Sequence, residues 1–172
     1  EKAKDFKLKS TENELISLND IKGKNGTLVM FICNHCPYVK AIIKDLVDDV
    51  KFLEKLGIKS VSIMSNDVKN YPEDSFENMI SFSKSNNFSF PYLIDETQDI
   101  AKKYGAVCTP DFFGYNKNLE LQYRGRIREL KELKPIETGI SDLRKAMKLI
   151  AETGNGPKDQ IPSMGCNIKW FR

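Results

Sequence analysis

The sequence lacks several features that would assign it to a specialised class of protein. No apolar run is long enough to cross a bilayer, so no membrane segment is predicted in this chain. The 27 basic and 24 acidic residues are mixed along the sequence without a basic block, which argues against a nucleic-acid partner. Four cysteines in 172 residues are too few for a secreted scaffold that is held together by disulfides.

The composition that remains is that of one globular domain with a substantial core, since 40% of the residues are hydrophobic and 30% are charged. We expect this domain to span residues 1–153. Residues 154–172 begin with the helix-stopping sequence GNGP and are expected to form a C-terminal tail that packs on the domain or extends from it. The residues are compatible with a cytoplasmic location or with export after removal of an upstream signal, and they leave the oligomeric state open.

The most informative stretch is the sequence CNHC at residues 33–36. It follows five apolar residues, Leu28 to Ile32, that predict a buried strand, and it precedes Pro37 and a long helical pattern. A strand that ends in Cys-x-x-Cys and opens a helix is typical of a dithiol redox site. The N-terminus of a helix favours negative charge and therefore stabilises a thiolate, the nucleophile of disulfide exchange. We expect Cys33 to be the attacking sulfur and Cys36 to be its resolving partner.

Two other interpretations of this pair remain open. A Cys-x-x-Cys can form half of a zinc site, but no second Cys-x-x-Cys or His-x-x-x-His follows. His35, Cys108 and Cys166 could complete such a site only through long-range folding. The two cysteines could also be inert core residues, because free cysteine is among the most buried residue types. The strand-to-helix position favours redox chemistry, and we predict neither a resident metal nor a cofactor.

The rest of the chain alternates strand and helix patterns, as expected for an α/β fold. Alternating stretches at Phe6–Leu8 and Leu15–Leu18 predict an N-terminal β-hairpin. Apolar residues spaced by three and four predict one helix from Val39 to Leu56, and Ile58–Met64 predicts the next parallel strand. Further elements are predicted at Ser75–Ser85 (helix), Pro91–Ile94 (strand), Thr97–Tyr104 (helix), Asp111–Tyr115 and Leu119–Tyr123 (strands) and Ile136–Ala151 (helix).

With these elements in place, the chain resembles the thioredoxin superfamily. It is similar to a branch of peroxiredoxin-like proteins, the alkyl hydroperoxide reductase and redoxin families, that carries Cys-x-x-Cys. The sequence FKLKSTENELISLNDIKGK resembles the N-terminal hairpin of those families, and FICNHCPYVKA, CTPDFFGYN, YRGRI and PSMGCNIKW resemble segments of the branch. The resemblance covers nearly the whole chain and implies a thioredoxin-like α/β fold, with a central mixed β-sheet flanked by helices and an N-terminal β-hairpin extension.

The resemblance also implies roles for individual residues. Thioredoxin folds keep a cis-proline that faces the redox pair, which indicates Pro110, and Thr109 would then offer its backbone to an extended substrate. His35 immediately precedes the second cysteine, as in disulfide isomerases and periplasmic disulfide oxidants. An imidazole there stabilises the thiolate and makes the disulfide more oxidising, by about 30 mV for each 1.4 kcal/mol. Asn34 completes the catalytic tetrapeptide.

The buried carboxylate that thioredoxins place six residues before the first cysteine is absent from this sequence, because Thr27 stands there. A proton acceptor for the resolving thiol must therefore come from elsewhere, with His35 or water as candidates.

The activity implied is that of a thiol–disulfide oxidoreductase, whose partners are protein or small-molecule thiols and disulfides. The first alternative is a thiol peroxidase that acts on peroxides, because the peroxide-reactive cysteine of peroxiredoxins falls on Cys36. Arg124 or Arg126 would then have to replace the family's active-site arginine. The second alternative is a metal or iron–sulfur carrier that uses Cys33 and Cys36, with Cys108 as a third candidate ligand. Cys108 and Cys166 are also candidate accessory redox residues.

Overall fold

The structure is a computed structural model that describes residues 1–136 and 139–172. Strands and helices alternate along most of its length, which confirms the predicted α/β class. The strands are β1 (Lys7–Ser10), β2 (Leu15–Ser17), β3 (Gly26–Phe31), β4 (Ile58–Met64), β5 (Tyr92–Ile94), β6 (Cys108–Thr109), β7 (Asp111–Tyr115), β8 (Leu121–Gly125), β9 (Leu130–Lys131), β10 (Lys134–Pro135) and β11 (Cys166–Asn167). The helices are α1 (Pro37–Glu54), α2 (Phe76–Ser85), α3 (Asp99–Tyr104) and α4 (Asp142–Thr153).

Seven of the strands form one mixed sheet in the order β2-β1-β5-β4-β3-β7-β8. The three central strands β3, β4 and β5 are parallel, whereas β7 and β8 continue the sheet with antiparallel pairing. The hairpin of β1 and β2 extends the sheet beyond β5. The predicted arrangement, a central mixed sheet with an N-terminal hairpin extension, is therefore confirmed.

β3 is a central strand whose six residues are all buried. Because successive side chains of a strand point to opposite faces, Leu28 and Met30 enter a core that includes residues of α1 and α4. Val29 and Phe31 enter a second core that includes residues of α3. Hydrophobic contacts on both faces therefore fix the carboxyl end of β3, where the CNHC sequence begins.

α1 begins at Pro37, directly after the second cysteine. Proline fits the first turn of a helix because its missing N–H would have no partner there. The buried residues of α1 recur at spacings of three and four, as predicted, and hold the helix against the sheet. They are Val39, Ile42, Ile43, Leu46, Val47, Asp49, Val50 and Leu53.

The last helix is shorter than predicted. α4 begins at Asp142 rather than at Ile136, and part of the predicted range lies outside the described residues. Gly139 has a φ of +78°, which does not belong to a right-handed helix, and Ser141 provides the N-cap. Ile140, which was expected to face inward, is 58% exposed because it precedes the helix.

The strand predicted at Leu119–Tyr123 is shifted toward the C-terminus and becomes β8. Leu119 has a φ of +60°, so it belongs to the turn rather than to the strand. Among the described residues, no helix combines the length and the apolar character that crossing a membrane requires.

The end of the chain lies against the domain. β11 pairs with β6 in antiparallel register, with Cys166 opposite Thr109 and Asn167 opposite Cys108. Ile168 is buried in the same core as Val29 and Phe31. The C-terminal residues thus reach the loop that carries Pro110.

Candidate redox site

The CNHC sequence connects β3 to α1 and brings its two sulfurs together. Cys33 is 1% exposed and Cys36 is fully buried. Both residues are free thiols, and their sulfurs lie close enough for each to shift the pKa of the other. This arrangement is the precondition for forming a disulfide between the two residues without a change of fold.

The surroundings of the two sulfurs are unequal. The hydrogen bond from the Cys33 thiol lowers the pKa of Cys36 below its ordinary value, despite the opposing effect of burial. Contacts with Cys166 and the backbone N–H of Val39 lower it further. At Cys33 the same shared proton raises the pKa, and burial and the negative charge of Asp74 act in the same direction. The directions of these shifts favour a proton on Cys33 and a thiolate on Cys36.

The sequence predicts Cys33 as the attacking sulfur, whereas these directions favour Cys36, so the choice between the two sulfurs stays a prediction. Cys36 is the N-cap of α1, so its sulfur is attached to the residue at the positive end of the helix dipole. Cys33 lies before the N-cap and faces a carboxylate instead. When Cys36 is protonated, its thiol donates to the carbonyl oxygen of Thr109, 3.4 Å away.

Asp74 is a fully buried carboxylate beside the tetrapeptide. Its Oδ1 accepts the backbone N–H of Asn34 at 2.8 Å, and its Oδ2 accepts the side-chain amide of Asn66 at 2.9 Å. His35 Nδ1 lies 2.6 Å from Oδ2, a contact that forms an ion pair when the imidazole is protonated but is not aligned as a hydrogen bond. The Tyr92 hydroxyl donates to Asn34 Oδ1 at 2.8 Å. These contacts fix the two residues between the cysteines.

Sequence reasoning did not identify Asp74 or Tyr92. Asp74 lies 40 residues after Asn34, and the sequence before α2 indicated only the approach to a helix. One feature of the sequence pointed to this region: Asn66 follows a parallel strand. Polar residues in that position lie at the edge of the sheet where ligand sites form. Asp74 supplies a buried carboxylate close to the redox pair, although Thr27 occupies the position at which thioredoxins carry theirs.

The peptide bond between Thr109 and Pro110 is cis, as predicted. Thr109 contacts both members of the pair: its Oγ1 lies 3.5 Å from Cys33 Sγ, and its carbonyl oxygen lies 3.4 Å from Cys36 Sγ. The residue before the proline therefore lies directly against the redox pair.

The other two cysteines differ in their relation to the pair. Cys166 lies close enough to Cys36 to lower the pKa of that thiol, and the backbone of Tyr38, in the first turn of α1, lowers the pKa of Cys166 itself. Cys108 directs its thiol toward the carbonyl oxygen of Pro110, 3.8 Å away. Burial raises the pKa of both thiols to about 11, with a further contribution at Cys166 from Cys36 and at Cys108 from Asp111.

The two arginines proposed for a peroxide site pair with carboxylates. Arg124 lies 3.0 Å from Asp111 Oδ2 and stacks on Phe113, and Arg126 Nε donates to Asp142 Oδ2 at 2.6 Å. Within residues 1–136 and 139–172, neither guanidinium contacts a cysteine sulfur of the pair. Neither Arg124 nor Arg126 is therefore placed to donate to a peroxide at Cys36.

One group of three residues has the chemistry of metal ligands. Cys33, His35 and Asp74 each place a potential ligand atom within 4.8 Å of the other two. The oxygens of Asp74 already accept hydrogen bonds from Asn34 and Asn66, so the carboxylate is committed to orienting the tetrapeptide.

Comparison with known proteins identifies the family of this chain. A sequence model described as the AhpC/TSA family matches residues 1–130. A crystal structure of an uncharacterised conserved protein from Geobacillus kaustophilus is similar over 99% of this chain and 91% of its own, with 39% identity and a TM-score of 0.93. The candidate peroxiredoxin bcp of Coxiella burnetii is 27% identical over 114 residues, which make up 66% of this chain and 70% of that protein.

More distant structures show the same architecture. The thioredoxin domain of a thiol-disulfide oxidoreductase from Bacteroides vulgatus is similar over 72% of this chain and 85% of its own, with 16% identity and a TM-score of 0.61. This similarity confirms the thioredoxin-like fold that the sequence resemblance implied. Because the family match spans residues 1–130 of 172, the chain belongs to the AhpC/TSA family of peroxiredoxin-like oxidoreductases.

Proposed function

We propose that the protein is a thiol–disulfide oxidoreductase that cycles Cys33 and Cys36 between a dithiol and a disulfide. The proposal rests on one observation: two buried free thiols lie together at the start of α1, against Thr109 of the cis Thr109–Pro110 bond, and the pKa of Cys36 is lowered while that of Cys33 is raised. A stabilised thiolate is the nucleophile of disulfide exchange, and a neighbouring thiol is what resolves the mixed disulfide.

In the reducing direction, the Cys36 thiolate attacks a substrate disulfide. A bond forms between Cys36 Sγ and one substrate sulfur, and the other substrate sulfur leaves as a thiolate. Cys33 then attacks Cys36 Sγ, so that the Cys33–Cys36 disulfide forms and the second substrate sulfur is released. The protein loses two electrons and the substrate gains them; the reverse sequence oxidises a substrate dithiol.

The second step requires that the proton of Cys33 be removed. His35 and Asp74 each have an atom within 4.8 Å of Cys33 Sγ, which places both side chains within reach of this transfer. Asp74 also holds the Asn34 backbone through its second oxygen. We infer that the pair orients the tetrapeptide and receives this proton.

A thiol peroxidase is the second candidate. It is favoured by the family match and by the lowered pKa of Cys36, since peroxide oxidises the thiolate to a sulfenic acid. It is disfavoured by Arg124 and Arg126, which pair with Asp111 and Asp142. Because these two arginines are paired with carboxylates and do not face Cys36, we rank this activity below disulfide exchange.

Stopped-flow kinetics separate the two activities. The reduced protein is mixed with a peptide disulfide and, separately, with hydrogen peroxide. We expect faster exchange with the disulfide, and accumulation of a mixed disulfide at Cys36 in a Cys33→Ser/Cys166→Ser double variant. Cys108→Ser is the matched control and should behave as the wild type. Fast consumption of peroxide with slow disulfide exchange would reverse the ranking.

A further inference from the structure

The last residues of the chain form a strap across the redox site. We define the C-terminal strap as residues 161–171. It is held at one end by a hydrogen bond from the Arg126 backbone N–H to the carbonyl oxygen of Ile161, at 2.8 Å. At the other end, the Lys169 N–H donates to Asn66 Oδ1 at 2.8 Å, and its carbonyl oxygen accepts the backbone N–H of Asp67 at 2.8 Å. The strap is thus anchored on both sides of the cysteine pair.

The middle of the strap pairs as a strand with the residues before Pro110. Cys166 stands opposite Thr109, the residue whose side chain and carbonyl contact Cys33 and Cys36. Gly165 makes this approach possible, because a Cβ there would lie 2.1 Å from the Thr109 carbonyl oxygen. A cysteine opposite Thr109 in an extended segment lies beside Cys36. The reactive cysteine of a protein substrate has to take the same position.

We propose that Cys166 is a third redox cysteine, which exchanges with the Cys33–Cys36 disulfide to form a Cys36–Cys166 disulfide. The proposal rests on the proposed function, because that function supplies the disulfide. The Cys166 sulfur attacks Cys36 Sγ, the Cys36–Cys166 bond forms, and the Cys33–Cys36 bond breaks. Cys33 leaves with the electron pair and takes up the proton that Cys166 releases, so the step is an isomerisation that needs no further oxidant. The disulfide then joins Cys36 to the partly exposed Cys166 instead of joining the two buried residues Cys33 and Cys36.

The environment of Cys166 suits this exchange. The backbone of Tyr38, at the positive end of α1, and the charge of Lys169 both lower the pKa of Cys166 and so favour its thiolate. One of the effects that raises the pKa of Cys166 is the neighbouring Cys36 sulfur in its reduced form. That effect is removed once Cys36 is part of a disulfide, which is when Cys166 has to attack.

Disulfide mapping tests the proposal on the full-length chain. The wild type, Cys33→Ser and the control Cys108→Ser are oxidised with one equivalent of diamide, quenched in acid, labelled with N-ethylmaleimide, digested and analysed by mass spectrometry. We expect peptides that link Cys36 to Cys166 in the wild type and in Cys108→Ser, together with Cys33–Cys36. The Cys33→Ser variant keeps three cysteines. We expect oxidation to lower its number of labelled thiols from three to one, because Cys36 and Cys166 form a disulfide.

The outcomes separate this inference from the proposed function. If Cys33–Cys36 forms but Cys166 remains fully labelled in the wild type, the inference is overturned and the proposed function stands. A disulfide between Cys108 and Cys166 in place of Cys36–Cys166 would also overturn it. If neither disulfide forms, both proposals are overturned. The wild-type map decides the question even if Cys33→Ser does not fold.

Discussion

Asp74 Oδ2 lies 2.6 Å from His35 Nδ1, so a buried carboxylate and a partly exposed imidazole meet beside Cys33. The other oxygen of the same carboxylate accepts the Asn34 backbone N–H. The negative charge of Asp74 raises the pKa of Cys33, and a protonated His35 is the group placed to offset that charge. The redox properties of the pair therefore depend on both residues and not on His35 alone.

Replacing His35 by Ala should make the protein less oxidising. The change removes the imidazole that faces Asp74 beside the cysteine pair, so negative charge on the pair, and hence the reduced state, loses stability. We expect the midpoint potential to fall by about 30–60 mV, which corresponds to roughly 1.4–3 kcal/mol. Equilibration with a dithiothreitol or glutathione redox buffer measures this value.

The control for that test is the same His35→Ala change made in an Asp74→Asn protein. With the carboxylate gone, the effect of His35→Ala should shrink to less than about 10 mV, because no uncompensated charge remains. An equal fall in both backgrounds would show that His35 acts on the sulfurs independently of Asp74. An unchanged potential in His35→Ala alone would contradict the role assigned to the imidazole.

The reduced protein should gain stability as the pH rises toward the ordinary cysteine value of about 8.5. The pKa of Cys36 is lowered in the folded state, so its contribution is complete above the unfolded-state pKa and is lost as the pH falls through the folded-state pKa. The gain is at most about 1.4 kcal/mol per pH unit. Above about pH 8.5 the raised pKa of Cys33 acts in the opposite direction.

Denaturant unfolding at several pH values measures this dependence. The difference between the wild type and Cys36→Ser isolates the contribution of Cys36 from that of other titrating groups. The oxidised wild type is a second control, because neither sulfur of its Cys33–Cys36 disulfide can ionise. Parallel pH profiles for reduced wild type and Cys36→Ser would show that the pKa of Cys36 is not lowered.

Gly165→Ala should loosen the C-terminal strap. The new Cβ would lie 2.1 Å from the carbonyl oxygen of Thr109, so the strap must move away from β6. We expect the Cys36 thiol to react with Ellman's reagent at least about tenfold faster, a change of roughly 1.4 kcal/mol in the free energy of local opening. Trp170, the only tryptophan in the chain, should report the same movement by fluorescence.

Met164→Ala is the control for that variant. It changes the adjacent residue of the strap, but the Met164 side chain is 65% exposed and its truncation creates no clash. Equal reaction rates for the two variants would mean that pairing with Thr109 does not limit access to Cys36.

Replacement of Arg124 or Arg126 should leave the thiol chemistry intact. Arg124→Ala removes the partner of the buried Asp111 and should lower the free energy of unfolding by about 1–3 kcal/mol. The peroxide reaction should change by less than about twofold in either variant, or roughly 0.4 kcal/mol. A loss of more than tenfold in the peroxide rate would identify that arginine as part of a peroxide site.

Much of this architecture was predictable because it depends on local pattern. The helical spacing from Val39 and the alternation around β1 and β2 are properties of short stretches, and the structure follows them. The start of α4 was not predictable in the same way, because Ile140 continues the apolar spacing while Gly139 and Ser141 end it. In the site, the cysteine pair and Pro110 could be identified from motifs.

The ionisation of the pair could not be predicted from the same motifs. It depends on where α1 begins, on the charge of Asp74 and on Cys166, which lies at the far end of the sequence. Each of these contacts is made only when distant segments meet. The motif identifies the two reactive cysteines, whereas contacts between distant segments determine which sulfur is more readily ionised.

The most direct test is a thiolate titration by ultraviolet absorbance on reduced wild type, Cys33→Ser and Cys36→Ser. We predict that the wild type carries one thiolate near neutral pH, that Cys33→Ser keeps it and that Cys36→Ser loses it. A thiolate that is lost in Cys33→Ser and kept in Cys36→Ser would place the charge on the other sulfur. Two thiols that remain protonated at about pH 8 would contradict the redox role of the pair.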